Sequence, residues 1–225
     1  MTDERPPSPS SRMQQVWNRL ERWCREHMPE VLPSLERGAS ESMLQATERR
    51  LGGQRLPEDL RESFKVHNGQ DEGYTGILFG LWLLPLSQVE NFWNSFPHPT
   101  SEENQSGSHT SFPEGAVQCL FAHPGWIPLT YDSGGNWLGV DLAPGPQGKV
   151  GQVILFGRDE RTKYVAAPDW GSLMEEFVRK LEAGEFHLGR PDGRIRDFGP
   201  DKPRSSHFHD YIRQVARSAR KSPGR

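Results

Sequence analysis

The sequence lacks most of what would point to a familiar activity. It has two cysteines in 225 residues, Cys24 and Cys119. That is too few for a disulfide framework or a zinc site, and a reduced, cytoplasmic setting is expected. No apolar run approaches the ~18 residues that a membrane span needs. The opening twelve residues, MTDERPPSPSSR, carry no apolar core of a secretory signal. No acid, base and nucleophile cluster along the chain. The eight histidines are scattered. His207 and His209 lie two apart without a third ligand, so no metal is expected there. Gly145, Gly148 and Gly151 match no dinucleotide fingerprint. The run Asp132-Ser133-Gly134-Gly135-Asn136 has the glycines of a phosphate cradle. No helix follows it and no Lys or Arg adjoins it, so it reads as a tight turn. A non-enzymatic protein without catalytic residues or cofactor is the expectation.

What is present is an uneven charge and a set of large aromatic rings. The net charge is −3. Residues 1–184 hold 17 Lys and Arg against 25 Asp and Glu, a net of −8, while residues 185–225 hold 10 against 5, a net of +5. An acidic body disfavours nucleic acid as a direct ligand, because phosphate attraction drives that binding. It suits a partner with a basic surface. Seven tryptophans supply much of the apolar bulk, which is otherwise modest at 33% hydrophobic residues.

Three parts are expected: a Pro/Ser-rich disordered segment at 1–12, an α+β domain at 13–186 with a mobile loop at 97–116, and a basic tail at 187–225. Within the domain, Val16, Trp17, Leu20, Trp23 and Cys24 make one helical stripe over residues 13–28. Ser40 is placed to cap a second helix that Gly52-Gly53 stops. Pro57 opens a third, ending at Asn68-Gly69. Residues 76–80 and 82–84 read as short strands, and Ser87 as the cap of a further helix. Residues 127–131, 137–142 and 153–156 read as a β-meander with one half-buried face. Residues 163–167 add a strand, and Asp169 caps a closing helix. In the tail, Phe208, Tyr211, Ile212 and Val215 recur at helical spacing, with Arg213, Arg217, Arg220 and Lys221 elsewhere on the wheel. Such a short basic amphipathic helix more often docks on its own body, or folds only weakly alone, than it serves a membrane surface or a partner.

Alternation along 137–142 sets Trp137, Gly139 and Asp141 against Leu138, Val140 and Leu142. With the second set buried, Trp137 points outward. An outward Trp137 flanked by Asp132 and Asp141 is the candidate anchor for a basic partner.

Several local motifs then form an ordered series. They are Leu51-Gly52, Leu56-Pro57 and Asn68-Gly69, then the run from Gly80 through Trp82 and Pro85 to Leu86. Trp126-Ile127-Pro128-Leu129, the 132–136 turn, Asp141-Leu142-Ala143-Pro144 and Trp170, Leu173 and Phe177 follow. Over residues 17–181 this series resembles the SUKH superfamily, which includes fungal cell-wall-assembly regulators and bacterial toxin-immunity proteins. The resemblance implies one mostly antiparallel sheet with helices packed around it, protein binding, and no catalytic residues. The expected function is an immunity protein that occludes a basic toxin such as a nuclease. The alternative is a regulatory scaffold of the cell-wall-assembly type.

Overall fold

The computed structural model describes residues 9–74, 76–78, 80–96, 101–105, 109–186 and 208–221. The expected disorder at 1–12 falls mostly outside them, and the first helix, α1 (Pro9–His27), already begins at Pro9. Its stripe from Met13 to Cys24 is buried. α1 packs on α3 (Glu58–Val66) and on α6 (Trp170–Glu182). Ser63 of α3 joins the three: its hydroxyl accepts the indole N–H of both Trp17 and Trp170, each at 3.0 Å. These bonds satisfy two buried donors that would otherwise cost stability.

A 3-10 turn, Pro29–Ser34, leads from α1 to β1 (Leu35–Arg37). α2 (Glu41–Arg50) starts where Ser40 accepts the Met43 N–H at 3.2 Å. Arg61 of α3 is buried and pairs with Glu41 and Glu48 of α2. α3 stops at Val66, two residues before Asn68-Gly69, because the chain turns there into β2 (His67–Gln70), antiparallel to β1. The strand expected at 76–80 shrinks to a single bridge between Leu78 and Leu81. β3 (Trp82–Leu83) is real but short. α4 (Leu86–Asn94) begins directly after Pro85, and the carbonyl of the Asn68 side chain, rather than Ser87, accepts the Leu86 N–H.

The sheet differs from a single antiparallel one. Two small antiparallel pairs, β1–β2 and β3–β6 (β6 is Thr130–Tyr131), stand beside a five-stranded mixed sheet. Its order is β4 (Thr110–Phe112), β9 (Thr162–Ala167), β8 (Gln152–Gly157), β7 (Asn136–Asp141), β5 (Trp126–Pro128). β5, β7 and β8 form the expected antiparallel meander and β9 extends it, but β4 joins β9 in parallel. β4 lies inside the stretch expected as a mobile loop, beside the four-residue helix α5 (Glu102–Gln105); residues 97–100 and 106–108 are outside the described set. The run expected as one strand at 127–131 divides at Leu129 between two sheets. Polar β4 gave no apolar pattern to read, and parallel pairing needs no adjacent turn to announce it.

All six residues of β7 and all six of β8 are buried, because elements cover both faces of the sheet. Asp169 caps α6 by accepting the Ser172 N–H at 2.6 Å. Residues 187–207 lie outside the description; helix α7 (Phe208–Lys221) follows and packs against β9. No helix among the described residues is long and apolar enough to cross a membrane.

Candidate functional site

The three residues expected to meet a partner do not share a surface. Asp132 precedes β7 and Asp141 is its last residue, so they stand at opposite ends of the strand, whose residues 137 to 141 span roughly 13 Å at ~3.3 Å per residue. The outward Trp137 is corrected: it is buried, at 8% exposure. Its ring contacts Phe92 of α4 and Phe96 just after that helix, at 5.7 and 5.2 Å between centroids. Phe156, its cross-strand partner on β8, and Tyr131 complete the cluster. Alternation says that a strand has two faces; it does not say that only one is covered. α4 covers the face that was taken for solvent. Gly139 fits the same crowding, since a Cβ there would come within 2.3 Å of the Ile127 carbonyl and 2.8 Å of the Phe156 ring.

Asp141 is wholly buried. Its carboxylate accepts the Ala143 N–H and the Gln152 side-chain amide, each at 2.9 Å. Burial pushes its pKa up to about 6 against those two hydrogen bonds, which favour the charged form. Gln152 also donates to the Ala116 carbonyl, so Asp141 anchors the break between β7 and β8. It is a structural carboxylate.

Asp132 holds the turn that precedes β7. Its Oδ1 accepts the N–H groups of Gly134 and Asn136 at 2.7 and 2.9 Å, and its Oδ2 accepts the Asn136 side-chain amide at 2.8 Å. Burial pushes its carboxyl upward, but the Asn136 and Gly134 hydrogen bonds and the field of His209 outweigh that and leave it lowered. Asn136 also reaches the next turn: it donates to Asp159 at 3.1 Å and accepts the Asp159 N–H at 2.9 Å. Two turns, 132–136 and 157–161, are thereby fastened together at one end of the sheet.

This acidic end carries Asp132, Asp159 and Glu160, and the basic tail helix sits on it. Arg213 pairs with Glu160, which is 3% exposed, and with Asp210 of its own helix. His209 Nδ1 lies 3.8 Å from Asp132 Oδ2. Phe208 and Ile212 are buried, with Phe208 against Phe177 of α6 and Tyr211 against Phe186. Beneath Glu160, Lys163 is fully buried and donates to the Glu160 carbonyl at 2.5 Å; burial lowers its pKa to about 8. Glu160 and Arg213 were not singled out in the sequence. They stand 53 positions apart, and no local pattern links them. The acidic body and basic tail were the available signal, and that signal was read toward a foreign partner.

Between α7, α6 and β9 a cleft of 520 Å³ remains, with Val165, Ala167, Leu173, Phe177 and Phe112 among its lining and Val215 at its rim. Among the described residues, no group of three or more His, Cys, Asp or Glu side chains could hold a metal ion. The arrangement as described is a hydrogen-bonded, ion-paired edge on which α7 rests.

The fold and the edge define an α+β domain with a buried meander and an acidic edge covered by α7. The chain belongs to the SMI1 / KNR4 family (SUKH-1), whose pattern it matches over residues 38–176. It is 40% identical over 217 residues to "Cell wall biosynthesis/cell cycle regulator smi1" of Schizosaccharomyces pombe, a match covering 90% of this chain and 43% of that protein. It is 33% identical to "Glucan synthesis regulatory protein" of Neurospora crassa, over 85% of this chain and 43% of the relative. It is 34% identical to "Cell wall assembly regulator SMI1" of Saccharomyces cerevisiae, over 77% and 41%. The chain thus spans less than half the length of these relatives. Their names overturn the expectation of a toxin-neutralising immunity protein: the three are named as regulators of cell wall biosynthesis and the cell cycle, of glucan synthesis and of cell wall assembly.

Proposed function

We propose that this chain is a non-enzymatic, protein-binding regulatory domain of the fungal cell-wall-assembly type. One observation carries the reading: 40% identity to a named wall-biosynthesis regulator across nine-tenths of the chain. The site chemistry supports it. Asp132, Asp141 and Lys163, the groups a reaction would recruit, are all engaged in holding turns and strand ends. What remains for function is surface, and surface binds partners. A cytoplasmic setting belongs to the same proposal, since Cys24 and Cys119 are both unpaired. Of the residues first considered for partner contact, Asp132 stays in the proposal through the acidic edge it shares with Glu160.

The test is a domain exchange. The matching segment of the Schizosaccharomyces pombe relative is replaced by this chain in cells lacking that relative. Resistance of the wall to a glucan-digesting enzyme is scored. Restored resistance is expected. A chimera that accumulates normally yet leaves the wall as sensitive as in the deletion would overturn the reading.

A further inference from the structure

The tail helix fits its groove only in part. Of α7, Phe208, His209 and Ile212 are buried, while Val215, one turn on, is 48% exposed. Phe208, Ile212 and Val215 of α7 all line the 520 Å³ cleft that stays open between this helix, α6 and β9. An apolar helix seated on an apolar groove gains by filling it, because unfilled space forfeits contacts on every wall. The charge pattern matches better: α7 carries Arg213, Arg217, Arg220 and Lys221 against one carboxylate, Asp210, and it lies on the edge formed by Asp132 and Glu160 of a body with net charge −8.

We propose that this groove is a docking surface for a basic amphipathic helix of a partner protein, and that α7 occupies it in cis as an under-filling competitor. The occupant is defined by chemistry. It is a helix with an aromatic residue, then an aliphatic one four positions later, an arginine next to that, and a ring-sized side chain where α7 has Val215. The arginine takes the Glu160 carboxylate, as Arg213 does. The ring fills the cleft between β9 and α6. A covalently attached competitor has a high effective concentration, so the partner must out-fit α7 to displace it. The proposal deepens the regulatory reading above by naming the surface and the class of partner.

The test uses full-length protein and a fluorescent synthetic peptide with the sequence of residues 208–221 carrying Val215→Phe. It is titrated into the wild-type chain and into the F208A/I212A chain, in which the cis helix is loosened and the groove untouched. Binding at least tenfold tighter to F208A/I212A is expected, and at least tenfold weaker binding when the peptide also carries Arg213→Glu. The peptide with Val215 retained should bind several-fold more weakly than the phenylalanine version. Equal affinity for the two chains overturns the proposal. So does loss of the cooperative melt in both F208A/I212A and full-length R213E, since α7 would then be core. If peptide binding appears only after residues 187–207 are replaced by a Gly/Ser linker, that segment is the occupant and the partner helix is not. A wild-type dimer that dissociates in F208A/I212A assigns α7 to a second copy instead. Wall complementation without peptide binding removes this inference alone; peptide binding without complementation removes the regulatory reading and leaves the surface.

Discussion

α6 and α7 read alike in the sequence and behave differently in the fold. Both are amphipathic, of 13 and 14 residues, and both pack on β9. α6 is capped by Asp169 and buries Trp170, Leu173, Met174, Phe177, Val178 and Leu181, a stripe along its whole length. Of the α7 side chains that are described, residues 208–215, Phe208, His209 and Ile212 are buried while Val215 is 48% exposed, and a cleft stays open between them, α6 and β9. The difference is in what lies opposite. α6 faces α1, α3 and the sheet together; α7 packs mainly on β9, with ring contacts from Phe208 to Phe177 of α6 and from Tyr211 to Phe186, and an ion pair to Glu160. A periodic apolar stripe reports that a helix has something to bury. It does not report whether the covering is complete, and completeness separates a core element from a docked one.

The largest expected effect tests that separation directly. Phe177→Ala should destabilise the whole molecule by about 3–5 kcal/mol, the usual cost of removing a buried ring from a close-packed core. Trp137→Ala should fall in the same range, because its ring is enclosed by Phe92, Phe96, Tyr131 and Phe156. Phe208→Ala should cost about 1–2 kcal/mol at most, since α7 can open without the rest. Denaturant midpoints measure the global loss, and hydrogen exchange of the α7 amides measures the local one. Equal global losses for Phe177→Ala and Phe208→Ala would erase the distinction between the helices.

A second expectation contrasts the two carboxylates at the opposite ends of β7. Asp141 has its folded pKa raised to about 6, against about 3.9 in an unfolded chain. The folded state therefore keeps that proton longer. Its contribution to stability is present below the unfolded value and is lost as pH rises through about 6, on the order of 2–3 kcal/mol by pH 7. Asp132, whose pKa is lowered, runs the other way: its contribution is present above the unfolded value and lost as pH falls through the folded one. Asp141→Asn should flatten the pH dependence of the urea midpoint between pH 4 and 7. Asp132→Asn should leave that window and weaken stability near neutrality by about 1–2 kcal/mol, through the lost turn hydrogen bonds. Identical pH profiles for the two variants would mean that burial does not distinguish the two ends.

Local chemistry was legible where the local sequence decides the outcome. Ser40 and Asp169 were readable as caps, because a hydroxyl or carboxylate before an apolar stripe has one good use. The β8 run was readable because β-branched residues crowd there. β2 was not, because His67-Asn68-Gly69-Gln70 has turn composition and is a strand only through its pairing with β1. β4 was not, because Thr-Ser-Phe beside β9 depends on a partner about fifty residues away. The family was legible from an ordered series of short motifs, which survives such local errors. The candidate site was legible only as a charge imbalance. The inward turn of Trp137 depends on α4, more than forty residues upstream. Asp132 was correctly placed in a turn, but its meeting with His209 depends on the tail folding back.

The smallest expected effect is the one that best separates docking from folding. Arg213 keeps 27% of its side-chain surface exposed while pairing with nearly enclosed Glu160. Replacing it with Met keeps the aliphatic stem and removes the charge. A buried carboxylate deprived of its partner normally costs several kcal/mol, because desolvation is no longer offset. Glu160 can escape that cost here if α7 lifts and water reaches it. The measured global loss should then be about 1 kcal/mol or less, and the thermal midpoint should barely move. The α7 amides should exchange at least several-fold faster than in the wild type, while those of α6 should be unchanged. Salt should narrow the gap between Arg213→Met and wild type in α7 exchange, because a partly exposed pair is screened. A global loss of about 3 kcal/mol or more, with α6 and α7 exchanging together, would show that Glu160 cannot be rehydrated separately and that α7 is fixed as firmly as α6.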